Sequence, residues 1–477
     1  MRLKHLFPNL NKELKEKKIR GISEDSRITG YGDLFFVKER KNFDIFSVLN
    51  KIEDKVVAFV SEEKNKEKLK KIISKKPIIF VKNIEEDFCR VVDRFYRFNK
   101  DDFKFIGVTG TNGKTTVTSL IYHLLKKIKK ECALLGTVKY ILGDEAVKAN
   151  YTTPDYLILR KIFKRIKDKG IKYVVMEVSS YAIDQQRIKG IDFLGCVFTN
   201  LSRDHLDYHK TMKNYFETKK KLFTLNPPAF SLINIDDRYG CKIFKEVKNV
   251  FSYGIKNNAH FKAKKIKCLK EKSQFLFIYK NDSYLVDTPL LGKYNILNVL
   301  ASVSILFLLG FPLKKLTEGV ASFKGVEGRL EKVYPDIFID YAHTPDALRN
   351  VLLTLREIGY QKIICVFGCG GERDQGKRKI MGKVASIYAD FSFVTSDNPR
   401  NEDPLKICKE VEKGFLKKNY SRIIDRKKAI KEAIKLKNKM ESCCVIIAGK
   451  GHEEYQIIAN KRIPFNDKKI VKEITRK

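Results

Sequence analysis

FIGVTGTNGKTTVTSLIYHLL, residues 105–125, runs from an apolar stretch through a glycine-bearing loop into a stretch with helical spacing of apolar residues. Read as strand, loop and helix, it is a phosphate-binding turn. Gly110 and Gly113 let backbone N–H groups close on an anion, Lys114 brings positive charge to β/γ-phosphates, and Thr115 offers a hydroxyl to Mg²⁺ at a helix N-terminus. The spacing is GxxGKT, because Val108 stands where the longer nucleotide pattern has its first glycine.

Working outward, residues 172–177, 193–200 and 230–234 read as further strands, with helices between them. That alternation predicts a mostly parallel sheet. Upstream, Leu34 to Val37, Val56 to Val60 and Pro77 to Val81 alternate with charged helices, the last spanning Asp87 to Phe98, and suit a small α/β module. Downstream, strands at Ile337 to Tyr341, Ile363 to Phe367, Phe391 to Ser396 and Val445 to Gly449 make a second doubly wound unit with ligand loops at strand carboxyl ends. The fold class expected is α/β in three domains: an N-terminal module (1–100), a central phosphate-loop ATPase (101–328) and a C-terminal Rossmann-like domain (329–477).

At 477 residues, 43% hydrophobic, the chain is long enough for several cores. No apolar stretch reaches the roughly 20 residues of a membrane span, and the start lacks a secretory h-region, so a cytoplasmic protein is expected. The ten cysteines show no CxxC pair and mostly lie in apolar runs, as reduced core residues would. The net charge of +39 invites nucleic acid or an anionic small substrate. The excess is mostly lysine on helical faces, as at Lys66 to Lys76 and Lys428 to Lys439, without interleaved aromatics. A basic nucleic-acid-dependent ATPase is the competing reading, and it lacks the motifs that accompany the phosphate loop there.

Two runs after strands offer hard ligands: MEVSS presents Glu177, and TNLSRDHLDYH presents His205, Asp207 and His209. A carboxylate beside a triphosphate suits magnesium, whereas His205 reads equally as a ligand or a hydrogen-bonded structural histidine. Lys219, Lys220 and Lys221 read by charge pattern as a solvated run. Arg400, in SDNPR, is a lone cation after a strand, and a turn residue is the plain reading.

GTNGKTT (110–116), TTPD (152–155), MEVSS (176–180), TNLSRDHLDYH (199–209), NIDD (234–237), LGKYNILN (291–298), GVEGRLE (325–331), DYAHTPDAL (340–348), FGCGGERDQGKR (367–378), DNPR (397–400) and GKGHE (449–453) together resemble, in order, the motifs of the Mur ligase family. These are ATP-dependent amide ligases of peptidoglycan precursor synthesis. The resemblance implies that meso-2,6-diaminopimelate is joined to the D-glutamate γ-carboxylate of UDP-N-acetylmuramoyl-L-alanyl-D-glutamate through an acyl phosphate. Sister ligases adding L-lysine, or glutamate to folates, are the alternatives within the family.

The resemblance also implies residue roles. ATP would meet Gly110, Thr111, Asn112, Gly113, Lys114, Thr115, Thr116, Asn295, Asn298, Arg329, Asp340 and His343. Thr115, Glu177, His205 and Lys219, the last as a carbamate, would hold one or two Mg²⁺ ions. The UDP-muramoyl dipeptide would meet Ser26, Thr152, Thr153, Ser179, Gln185 and Arg187. Diaminopimelate would meet Arg373, Asp397, Asn398, Pro399, Arg400, Gly449 and Glu453. Arg400 would clasp the second carboxylate, which lysine lacks, on a turn stiffened by Pro399. A monomer acting on small molecules, not on nucleic acid or a membrane, is implied. The chain departs from the family pattern at KERKNFDIF (38–46), where a glycine-rich segment is usual, and at Tyr151 and Tyr181, which replace Asn and His.

Overall fold

The computed structural model describes residues 1–476 except 41, 42, 226 and 460; the departure at 38–46 therefore lies partly outside the described residues. Two compact units are present. One comprises residues 1–103, 154–172 and 186–190, and the other 104–153, 173–185 and 191–477.

In the first unit four parallel strands, Gly21–Ser23, Asp33–Phe36, Val56–Glu62 and Ile78–Val81, form one sheet in chain order. The first of them was not expected from sequence, being only three residues long. Helix Ile84–Tyr96 begins three residues earlier than its apolar spacing suggests, because Asn83 caps Glu85 N and Glu86 N. It packs Phe88, Val91 and Val92 into a core shared with Tyr156 and Leu157 of helix Tyr156–Asp168. Arg160 of that helix is fully buried: its Nε donates to Asp93 (2.7 Å), and its guanidinium lies 4.0 Å from the Phe98 ring centroid.

The second unit holds an eleven-stranded and a six-stranded sheet. At the centre of the larger one, Lys104–Thr109 runs parallel to Phe193–Phe198 on one side and Tyr173–Glu177 on the other. Phe230–Asn234, Val250–Gly254 and Phe261–Cys268 extend the parallel run, and Ser273–Tyr279 and Asp282–Thr288 close that edge antiparallel. These last two strands were not expected, although buried and half-buried residues alternate along most of Ser273–Tyr279. Helix Lys293–Leu308 is apolar nearly all round and is buried accordingly against helix Lys114–Lys127. In the six-stranded sheet the order is Glu331–Tyr334, Ile337–Asp340, Cys443–Ala448, Lys362–Phe367, Phe391–Val394 and Tyr420–Arg422, parallel except at the first.

All ten cysteines are free, seven of them buried and three half-buried, as their apolar settings imply. Among the described residues no helix is long and apolar enough to cross a membrane.

Candidate active site

Parallel strands end on the same side of their sheet, and in the second unit the notable residues follow those carboxyl ends. Lys104–Thr109 feeds 110–113, Tyr173–Glu177 ends on Glu177, and Phe193–Phe198 feeds the run to His205. In the six-stranded sheet, Ile337–Asp340 ends on Asp340, Lys362–Phe367 feeds the run to Arg373, Phe391–Val394 leads to Arg400, and Cys443–Ala448 leads to Glu453. A cavity of about 580 Å³ opens there. Of the residues expected at ATP, all but Gly110 line it, together with Thr152, Glu177 and His205.

Gly113 precedes helix Lys114–Lys127 with φ 89°, a conformation glycine adopts without strain; a Cβ there would lie 2.5 Å from Asn298 Oδ1. Lys114 Nζ donates to Gly110 O (2.9 Å) and Thr111 O (2.8 Å), and burial lowers its pKa from the ordinary lysine value. Arg329 Nη2 donates to Thr115 Oγ1 at 3.1 Å. Its Nε is buried without a partner among the described residues, and the residue lines the cavity. Asp340 accepts from Leu330 N at 2.6 Å, and burial raises its carboxyl pKa.

Glu177 is fully buried and accepts from Thr137 N (2.7 Å) and Thr137 Oγ1 (3.0 Å). Thr137 went unnoticed in the sequence because its role depends on a contact forty residues away. Lys219 is 1% exposed, which removes it from the solvated run suggested by its neighbours; Lys221 is exposed. Its Nζ donates to Gly110 O (3.0 Å) and lies 3.4 Å from Thr109 Oγ1, with no ion-pair partner among the described residues. Burial, and then the like charge of Lys114, hold its amine well below the ordinary lysine range.

His205 has φ 56°, a strained backbone for a non-glycine residue. Burial pushes its pKa down to about 4, with Lys219 and Lys114 adding to the fall and Asp204 opposing it. Asp204 is buried within 3.4 Å of both His205 Nε2 and His343 Nε2 and 3.7 Å from Lys377 Nζ. Its burial alone would raise the carboxyl pKa; the surrounding cationic groups outweigh that and hold it well below the usual range. Asp204 lies inside a motif already singled out, yet only the fold reveals its three neighbours.

Among the residues expected at the amino acid, Asn398 and Glu453 share one hydrogen-bond network. Asn398 Nδ2 donates to Glu453 Oε2 (2.9 Å), and fully buried Lys450 donates to Asn398 Oδ1 (3.1 Å) and Glu453 Oε2 (2.7 Å). Gly449 N donates to Asp340 O, and a Cβ on Gly449 would lie 2.6 Å from Asp397 Oδ2. Glu402 N donates to Pro399 O at 3.1 Å. Arg400 is half-buried, has φ 53°, and donates from Nη1 to Gly371 O at 2.6 Å. Burial, and then the like charge of Arg373, lower its pKa.

Of the residues expected at the UDP-muramoyl dipeptide, Thr153 Oγ1 donates to Glu177 O (2.9 Å) and accepts from Ser179 N (3.0 Å). Thr152 Oγ1 lies 3.0 Å from Thr137 Oγ1. Ser179 caps the helix Ser180–Asp184, which ends just before Gln185. Ser26 and Arg187 belong to the first unit, where Arg187 Nε lies 3.0 Å from Asp155 Oδ1 and Ser26 occupies the turn after strand Gly21–Ser23.

Among the described residues no group of three or more His, Cys, Asp or Glu converges as a metal cage. Thr115, Glu177 and His205 line one cavity with Lys114 instead. That sparse set fits Mg²⁺, which keeps several waters and shares its coordination with phosphate oxygens.

The Mur ligase middle domain is matched over residues 108–306, and the Mur ligase glutamate ligase domain over 328–451. The chain is 39% identical over 479 residues to the UDP-N-acetylmuramoyl-L-alanyl-D-glutamate--2,6-diaminopimelate ligase of Clostridium botulinum, covering 99% of this chain and 98% of that one. The ligase of the same name from Clostridium tetani is 39% identical over 485 residues, with the same coverage. A solved structure of a ligase of that name superposes with TM-score 0.67 at 29% identity, covering 100% of this chain and 99% of the other. The chain belongs to the Mur ligase family.

Proposed function

We propose that the protein joins meso-2,6-diaminopimelate to the D-glutamate γ-carboxylate of UDP-N-acetylmuramoyl-L-alanyl-D-glutamate, with ATP converted to ADP and phosphate. The carboxylate oxygen attacks the γ-phosphorus and ADP leaves, giving an acyl phosphate. The free amine of diaminopimelate attacks the acyl carbon, loses a proton, and phosphate departs from the tetrahedral intermediate. Negative charge grows on phosphoryl oxygens, so positioned cations carry most of the catalysis.

In this reading stretch 1–100 serves the uridine end through Ser26, and stretch 101–328 serves ATP and the acyl group. Stretch 329–477 receives the amino acid. Lys114 and Arg329 bind the phosphates, Asn295 and Asn298 steady the loop, and Asp340 and His343 complete the nucleotide pocket. Thr115, Glu177, His205 and a carbamate on Lys219 would hold Mg²⁺, which supplies charge neutralisation at the β- and γ-phosphates. The carbamate is supported by chemistry: an uncharged buried amine is the form that adds CO₂, and Lys219 has the burial and like-charge neighbour that favour it.

The observation that carries the choice of amino acid is the pair Arg373 and Arg400. Half-buried Arg400 feels the like charge of exposed Arg373, and an anion held by the Arg400 guanidinium would relieve that repulsion. A second substrate carboxylate answers that need, while Asp397 and Glu453 suit its ammonium group. The enzyme would act in the cytoplasm as a monomer on small molecules. The deciding experiment is ATP-dependent ligation of the UDP-muramoyl dipeptide with meso-diaminopimelate and L-lysine side by side, the product weighed by mass spectrometry. Only a diaminopimelate adduct supports the reading; preferential lysine addition, or ATP hydrolysis that responds to single-stranded DNA instead, overturns it.

A further inference from the structure

Loops 203–207, RDHLD, and 373–377, RDQGK, face one another in the second unit with opposed charges. Arg203 Nε and Nη2 donate to the two oxygens of Asp374, each at 2.8 Å. Asp204 lies 3.7 Å from buried Lys377, and Asp207 lies 3.6 Å from Arg373. Three links thus cross between loops, and a cation sits on each side of the seam. The fit is close: a Cβ on Gly376 would lie 2.1 Å from Arg203 Nη2, so a side chain there would make the guanidinium shift. Asp374 is buried, which leaves its charge little solvent and makes the bidentate bond from Arg203 a strong constraint.

The two loops carry different halves of the proposed reaction. His205, in strained backbone, lies between Arg203 and Asp207 and lines the nucleotide cavity. Arg373 adjoins Asp374 and repels Arg400 across the amino-acid network. We infer that Arg203 and Asp374 are positioning residues: their fork ties the amino-acid-binding loop to the phosphoryl-transfer loop and holds the incoming amine in line with the acyl phosphate. This rests on the ligase reading above. Neither residue touches the reacting atoms in this scheme. Their effect is geometric, and a displacement of about 1 Å at such a junction costs roughly a hundredfold in rate.

The test compares Arg203→Ala, Asp374→Ala and the double variant with wild type in two assays. The first is ligation with diaminopimelate varied at saturating ATP. The second is acyl phosphate formation from ATP and the UDP-muramoyl dipeptide without amine, trapped by borohydride reduction. Each single variant is expected to lose about a hundredfold in kcat/KM for diaminopimelate, with no further loss in the double variant. Acyl phosphate trapping and the KM for ATP should stay at the wild-type level. Additive losses, or trapping that falls in step with ligation, overturn the inference. If the alanine variants fail to fold, Arg203→Lys and Asp374→Asn take their place, and a wild-type kcat/KM for diaminopimelate in both overturns it equally. A wild-type enzyme that does not add diaminopimelate would instead sink the proposed function itself.

Discussion

Lys219 shows how far a residue's neighbourhood departs from its sequence setting. In a run of three lysines it is the one turned inward, against Gly110 O and beside Lys114. Lys219→Ala is expected to reduce ligation to below roughly a hundredth of wild type, the scale of a lost charge-stabilising group, with partial recovery on adding short carboxylic acids. Full activity in that variant would remove the carbamate from the mechanism. Arg400→Ala should weaken kcat/KM for diaminopimelate by about 2–5 kcal/mol, as for one partner of a desolvated charge pair, while ADP binding measured by calorimetry is unchanged. A variant that still strongly prefers diaminopimelate to lysine would place selection elsewhere. His452 tests pH linkage. Burial pushes its pKa from 6.5 down to about 4, and its Nδ1 is buried without a partner among the described residues. Between those values the unfolded chain binds a proton that the folded one does not, so stability falls as pH drops through that window. His452→Gln should therefore flatten the unfolding free energy against pH by about 1.4 kcal/mol per unit there, read from urea titrations at several pH values.

At the scale of elements, the C-terminal sheet is braced by a fully buried ion pair. Arg426, at the start of helix Arg426–Lys437, donates to both oxygens of Asp467 on helix Asp467–Thr475 at 2.9 and 2.8 Å, and to Ala448 O at 3.0 Å. The last bond reaches the end of the strand that leads to Gly449, Lys450 and Glu453. Removing one partner leaves an uncompensated charge in the core, so Asp467→Ala should destabilise the unit by about 3–5 kcal/mol, read from the urea midpoint. Replacing both together, as Arg426→Met with Asp467→Leu, should recover most of that loss. A double variant as unstable as the single one would show that the pair is needed for more than charge balance. Spacing alone reveals both helices as amphipathic; that their charged residues meet in the interior follows only from their crossing beneath the sheet.

On the scale of the whole molecule, compact units and sequence segments do not coincide. The first unit takes residues 154–172 and 186–190 from the middle of the chain. Phe98 stacks on Phe163 at 5.7 Å, and Arg160 inserts beside Phe98 and Tyr156. A fragment of residues 1–103 is therefore expected to lack a fixed core and to show weak near-ultraviolet circular dichroism; a cooperative melt of that fragment would contradict this. The order of motifs, the α/β alternation and the phosphate loop were legible in the chain, because glycine positions, apolar periods and a lysine–threonine pair each answer to a local physical demand. The burial of Lys219, the hold of Thr137 on Glu177 and the roles of Asp204 and Lys450 were not, since each depends on partners far away in sequence; the antiparallel edge from Ser273 to Thr288, a hairpin of near neighbours, went unnoticed although its pairing is local. By itself, then, the sequence determined the class of chemistry, through residues whose type is dictated by phosphate and carboxylate. Only the tertiary structure decided which lysine is buried, which carboxylate gathers the histidines, and how two loops 170 residues apart lock together, because desolvation and Coulomb attraction act through space and not along the chain.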